Sequence, residues 1–246
     1  MTSLQNHNTP DIHSSTDAYA GRFSGRLGEW LLEVQESATD KLLQPIKITN
    51  ALDVGGGHGQ NVSSILKTGG SLTVLGSDMS CRHRLEHYLS HHDKVAFAEG
   101  CLTNIPYEDD SFDIGLSYRI LPHIKEWKML IKELCRVSAK AVLVDFPVWR
   151  SVNILSKATF NLKKSLEGNT RPYRVFHERE IVDVFAAHGF QLTEKIPQFF
   201  LPMALHRLHR SPVLAKGLET LPRSLKLTQI FGSPIIARFE PKKGKS

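Results

Sequence analysis

The chain has 246 residues, of which 41% are hydrophobic, with three cysteines and a formal charge of +6 from 31 basic and 25 acidic residues. That composition supplies a core for one large domain and excludes a disordered or fibrous chain. No run approaches the roughly 18 apolar residues of a membrane span, no basic-then-apolar leader opens the chain, and Cys81, Cys101 and Cys135 form no CxxC pair. A soluble, cytoplasmic protein with free thiols and no metal site is the expectation. The basic residues crowd the end: Arg207, Arg210, Lys216, Arg223, Lys226, Lys242, Lys243 and Lys245. Such a bias fits an anionic partner, nucleic acid or a phospholipid surface, and equally a solvated face.

Residues 1–18 are polar and patternless and read as a flexible arm. From 22 to 43 the apolar positions Leu27, Trp30, Leu31, Val34, Ala38 and Leu42 keep helical spacing, predicting one or two amphipathic helices that end before Pro45. A buried strand over 48–54, a glycine-rich exit and a helix over 60–67 follow. The rhythm then repeats: strands at 72–76, 95–98, 112–117 and 141–146, helices at 82–90 and 125–136. Alternating strand and helix means parallel strands with right-handed crossovers, hence an α/β, doubly wound sheet. An insertion over 147–176 precedes a helix at 178–188 and a strand at 190–199. A second insertion, 201–230, is broken by Pro202, Pro212 and Pro222, and the closing strand is 234–239. One domain over 19–240, two helical lid insertions and a basic tail over 241–246 complete the expected organisation.

The chemistry gathers at Asp53-Val54-Gly55-Gly56-Gly57-His58-Gly59, at the exit of the first strand. In an open parallel sheet a ligand lies beyond the carboxyl ends of the strands, and the first exit leads into it. Gly55, Gly57 and Gly59 put no Cβ between backbone and ligand, whereas Gly56 and His58 have no evident part in the pattern. The dinucleotide fingerprint fails, because Gln60 fills its third glycine position, and no Lys-Ser or Lys-Thr follows as a P-loop needs. Asp53 could fix the loop or accept from a ligand ammonium. Asp78, ending the second strand, could hold both hydroxyls of a ribose or simply cap a helix.

These residues resemble the D-x-G-x-G-x-G motif of class I S-adenosylmethionine-dependent methyltransferases, with Asp78 matching their acid after strand two. Ile105-Pro106-Tyr107-Glu108-Asp109-Asp110-Ser111-Phe112-Asp113 is similar to a segment of the small-molecule branch that includes the ubiquinone and menaquinone biosynthesis enzymes. The resemblance implies a Rossmann-like, seven-stranded sheet in the order 3-2-1-4-5-7-6, its last strand antiparallel. It implies S-adenosylmethionine as cofactor, held by Asp53, Gly55, Gly57, Gly59 and Asp78, with Met79, Cys101, Leu102 and Ser117 alongside. Cys101 stands where the family commonly has an acid that reaches the adenine.

His123 follows strand four and is the right residue type for a base, or else a packing histidine. Tyr19, Arg119, Tyr173 and His206 are the acceptor-side candidates. The insertions add Phe160, Leu162, Leu166, Phe199 and Leu208, which would suit a hydrophobic acceptor such as a quinol, polyketide or lipid precursor, or would simply pack on the core, and Arg171, which would instead position an acidic group on the acceptor. The expected function is methyl transfer to a small hydrophobic molecule, with peripheral contact to an anionic membrane allowed. A non-catalytic assembly partner on the same fold is the alternative. An RNA methyltransferase comes third, since no Asn/Asp-Pro-Pro-Tyr follows strand four.

Overall fold

The computed structural model describes residues 9–150, 173–209 and 211–242. Seven strands form one sheet in the order β3-β2-β1-β4-β5-β7-β6. They are β1 (Asn50–Val54), β2 (Ser71–Gly76), β3 (Val95–Glu99), β4 (Phe112–Ser117), β5 (Ser138–Phe146), β6 (Phe190–Pro197) and β7 (Ile235–Pro241). β1 pairs in parallel with both β2 and β4, and only β7 runs antiparallel, between β5 and β6. The expected sheet is therefore the observed one. Strand order reverses at β1, so the glycine-rich exit lies at the switch point where a ligand is expected.

The period of two along the central strands divides the core. Leu52, Val54, Val142 and Val144 face one layer, which is closed by α6 (Trp127–Val137) and α7 (Glu178–Ala187). Ala51, Val74, Ile114, Leu116, Ala141 and Leu143 face the other, closed by α3 (Gly25–Leu43), α4 (Val62–Lys67) and α5 (Glu86–His91). Two-sided burial explains why these strands read as nearly unbroken apolar runs. The segment before Leu43 is a single helix across Gly28, because a short 3₁₀ turn (Gly21–Phe23) folds onto it. A Cβ on Gly28 would lie 2.1 Å from the Phe23 carbonyl carbon.

Two expectations need correction. The arm is not loose throughout, since α1 (Pro10–Ser14) and α2 (Asp17–Ala20) are helical and Asp11 is wholly buried. A polar segment looks patternless when what it satisfies lies far away in sequence. The predicted helix over 82–90 is a 3₁₀ stretch (Met79–Leu85) followed by α5.

The first insertion is closed at its base by Trp149 N–H to the Phe176 carbonyl (3.0 Å) and Phe176 N–H to the Pro147 carbonyl (3.0 Å). Phe160, Leu162, Leu166 and Arg171 lie outside the described residues, as do Arg210, Lys243 and Lys245. The second insertion forms α8 (Met203–His209), α9 (Pro212–Ser224) and α10 (Leu227–Phe231). It packs on the start of α3 through a third apolar cluster that includes Trp30, Leu31, Phe199 and Ala215. The Ile105-to-Asp113 run is structural: Arg136 binds the Ile105 and Tyr107 carbonyls and Asp109, while Asp113 accepts from Thr49 N–H and Lys140.

Candidate active site

Beyond Val54 the chain turns through Gly55 (φ +77) and Gly59 (φ +73), backbone that favours glycine, and Gly55 N–H donates to the Leu75 carbonyl of β2 at 2.8 Å. Gly56 has a reason that only the fold reveals. A Cβ there would lie 2.1 Å from Asp53 Oδ2, because that carboxylate folds back over the loop.

Asp53 is wholly buried at the end of β1. Its Oδ2 accepts from Asn61 Nδ2 at 3.0 Å, and its Oδ1 has no partner. Burial pushes its carboxyl from 3.8 up to about 7; the Asn61 hydrogen bond opposes the shift and the charge of Asp145 adds to it. Asp145, at the exit of β5, is likewise pushed up to about 6 by burial, against the Arg119 N–H and the Arg119 charge. Arg119 is held firmly: its N–H meets Asp145 Oδ1 at 2.5 Å and Nη2 meets Gln35 Oε1 at 2.6 Å. Its guanidinium carbon lies 4.0 Å from the centre of the Phe23 ring.

Phe23 gathers a cluster of rings and cations. Tyr19 and His58 stand 5.9 Å from it, ring centre to ring centre, and Arg207 reaches it from α8 at 5.5 Å. His58 and Tyr19 are themselves 6.1 Å apart. Burial, then the charges of Arg119 and Arg84, lower the His58 pKa to about 4, so this imidazole is neutral at physiological pH. Of the sequence candidates, the fold thus brings Tyr19 and Arg119 together. Tyr173 and His123 form a second pair with rings 5.5 Å apart, and His123 N–H donates to the Ile120 carbonyl of the same loop.

Other candidates are placed differently. Ser117 Oγ donates to the Val54 carbonyl (2.9 Å) and ties β4 to β1. Asp78 is fully exposed and caps the 3₁₀ stretch through Ser80 N–H (2.8 Å), which lowers its pKa. Met79 is exposed, Leu102 is buried in the core, and Cys101 is exposed with Sγ 3.4 Å from Thr103 Oγ1. His206 stands against Trp30 and Phe199, ring centres 5.5 and 6.0 Å away. It is wholly buried, with Nε2 3.0 Å from Glu219 Oε1, and Glu219 also accepts from the Phe200 and Leu201 N–H groups. Its neighbour Arg207 reaches the Phe23 ring, as Arg119 does.

The gap between the glycine loop and the exit of β2 is occupied by α1. Asp11 accepts from Ser77 N–H (2.7 Å), Ser77 Oγ (2.6 Å) and the Cys81 thiol (3.3 Å). Burial pushes that thiol up to about 12, so it stays protonated and donates. Ser15 Oγ lies 2.3 Å from where a Gly57 Cβ would stand, and Asp11 Cβ lies 3.5 Å from the equivalent point on Gly55. The Gly55 point is met first by Ile120 Cδ1 (2.6 Å) and the Gly57 point also by the Cys81 carbonyl oxygen (2.6 Å), so α1 and its cap Ser15 cover these faces only in part; the orphaned Asp53 Oδ1 beside them fits a polar ligand. Sequence reasoning missed Asp11, Phe23, Gln35, Asn61 and Asp145. Only Asp145 leaves a trace, an acid closing the apolar run Ala141-Val142-Leu143-Val144.

Residues 52–143 match the family model described as a methyltransferase domain. Norajmaline N-methyltransferase of Rauvolfia serpentina is 29% identical over 125 residues, covering 49% of this chain and 40% of that protein, so the chain spans less than half the length of this relative. Among solved structures, a chain from the Haloferax volcanii complex with the Trm112 methyltransferase activator aligns over 94% of this chain and 96% of its own, with a TM-score of 0.63 and 15% identity. Magnesium protoporphyrin IX methyltransferase of Synechocystis, with bound S-adenosylhomocysteine, aligns over 97% and 98% at a TM-score of 0.62 and 9% identity. At those identities the two structures establish the shared fold.

Proposed function

Since the chain carries a class I, S-adenosylmethionine-dependent methyltransferase domain, we propose that it transfers a methyl group from that cofactor to a small, hydrophobic acceptor. The observation that carries this reading is the Cβ-free loop beside a buried carboxylate whose second oxygen has no partner. Gly55 and Gly57 would take the amino-acid and ribose part of the cofactor against their backbone, and Asp53 Oδ1 would accept from its ammonium. Asp78, which here caps the 3₁₀ stretch through Ser80 N–H, would hold the ribose hydroxyls. When bound, the cofactor supplies a methyl group on a sulfonium, open to in-line attack by a nucleophile held in register.

Tyr19, Phe23 and Arg119 form the acceptor wall, two aromatic rings with the Arg119 cation stacked on Phe23. His123, half-buried beside Tyr173, takes the acceptor proton, while neutral His58 packs without adding charge. A hydrophobic acceptor is supported by these walls and by the outer face of α9 and α10. There Val213, Leu221, Leu225 and Ile230 are 57–76% exposed among the cations Lys216, Arg223 and Lys226. An apolar stripe edged by cations suits an anionic lipid surface, from which such an acceptor would come.

Calorimetry with S-adenosylhomocysteine tests the cofactor reading: saturable binding is expected, weakened about tenfold or more by Asp53→Ala. No binding to the intact chain or to a chain lacking residues 1–16 would remove it. One observation favours the second reading, a non-catalytic assembly protein: α1 fills the cleft and satisfies Ser77 without a ligand.

A further inference from the structure

Four of the twelve histidines, His83, His87, His91 and His92, fall in one stretch of ten residues. A short tract this rich in histidine has the composition of a metal binder, and the structure sorts which members can act together. His83 turns to an acid, its Nε2 3.7 Å from Asp17 Oδ2. His92 leaves the helix on extended backbone (φ -138) and stacks on Tyr88, ring centres 6.3 Å apart. His87 and His91 remain, both exposed and one turn apart on the same face of α5.

Their ring centres stand 4.5 Å apart with planes inclined at 38°. With metal–nitrogen bonds of about 2.0–2.1 Å, two imidazoles side by side on one ion have ring centres about 4.5–5 Å apart. His91 is also oriented for ligation. Its Nδ1 lies 2.7 Å from the His87 carbonyl oxygen, which only accepts, so Nδ1 carries the proton and the lone pair of the neutral ring is on Nε2. Ser90 Oγ stands 3.0 Å from the same Nδ1. A backbone carbonyl on the non-ligating nitrogen is the arrangement that fixes metal-binding histidines. Among the described residues no hydrogen bond takes either ring nitrogen of His87. The nearby cations are matched by acids, Arg82 by Glu86 at 3.6 Å and Arg84 by Asp17 at 2.5 Å.

We propose that His87 and His91 form a surface site for a divalent transition-metal ion, apart from the methyl-transfer cleft, with two imidazole nitrogens from the chain and water in the other positions. Among the described residues no three ligating side chains gather, so the site is open and its ion exchangeable. The same spacing, two histidines four apart on a helix, supplies two ligands in helical zinc sites. Imidazole donors select copper, nickel and zinc over calcium and magnesium, which take oxygen, and copper(II) binds most tightly of the series. Cysteine spacing gave no sign of such a site, because its ligands are histidines joined by one helical turn.

The intact protein, free of any affinity tag, is titrated with copper(II), zinc(II) and calcium(II). Calorimetry, the copper electron paramagnetic resonance spectrum and the thermal midpoint are the readouts. The first equivalent of copper is expected to bind saturably, more tightly than zinc, with a spectrum showing two nitrogen ligands, and calcium about a hundredfold weaker or not at all. His87→Gln and His91→Gln are each expected to weaken copper binding about tenfold or more, since one imidazole cannot chelate. Zinc should raise the thermal midpoint of the parent and not of His87→Gln, a side chain that makes no hydrogen bond whose loss could unfold the helix. His83→Gln and His92→Gln leave copper binding unchanged, and S-adenosylhomocysteine binding is the same in all four variants as in the parent. The proposal is overturned by absence of saturable copper binding, by binding that His87→Gln and His91→Gln leave intact, or by equal losses in His83→Gln or His92→Gln.

Discussion

Asp53 is an acid that the fold makes costly to ionise. Its carboxyl takes up a proton at about 7 in the folded protein against 3.8 as an ordinary aspartate, so between those values the folded state holds a proton that the unfolded chain has released. The associated stability is complete below 3.8 and is lost as pH rises through about 7. Asp53→Asn is therefore expected to stabilise the cofactor-free protein at pH 8 by roughly 2–4 kcal/mol and to flatten its stability between pH 4 and 7, as read by urea unfolding across that range. Gly56→Ala should destabilise by about 1–3 kcal/mol, because the new methyl group meets the buried carboxylate. In a double-mutant cycle Asp53→Ala should relieve most of that penalty, which additive effects would rule out. Glu219 shows the opposite case. It accepts from two backbone N–H groups and His206, and loss of those bonds in Glu219→Ala should lower stability by about 3 kcal/mol.

At the scale of elements, α1 and the cleft compete. Three hydrogen bonds hold Asp11 against Ser77 and Cys81, and a ligand on the glycine loop must displace them. Asp11→Ala should therefore raise affinity for S-adenosylhomocysteine by about tenfold, the weight of roughly 1.4 kcal/mol removed from the closed state. A loss of affinity in that variant would instead make Asp11 a direct ligand of the cofactor. The helices were legible because their apolar faces recur within the helix itself, as Trp127, Leu130, Ile131 and Leu134 do in α6. α1 was illegible for the converse reason. Its buried face is Asp11 and Ser14, polar residues whose partners belong to the exit of β2.

At the scale of the molecule, the sheet carries the cleft at its switch point, and the α8–α10 insertion presents an apolar outer face at one flank. That face is expected to bind vesicles containing phosphatidylglycerol and not phosphatidylcholine alone, with affinity falling as salt rises. Leu221→Glu with Leu225→Glu should abolish co-sedimentation and leave the circular dichroism unchanged. A shift from dimer to monomer in those variants, with vesicle binding unaffected, would assign the face to a second copy of the chain.

Periodicity, the glycine spacing and the acids at strand ends are properties of neighbours in sequence, and from them the strands, the crossovers, the sheet order implied by resemblance and the place of the cleft could all be read. What only the tertiary structure decided involves residues far apart: Asp11 on Ser77, Phe23 under Arg119, and His206 beside Glu219 beneath Trp30. A lone histidine or aspartate has the same local signature as a base, a cap or half of a buried pair. Its role is set by how much water the fold leaves around it and by which charge it is packed against.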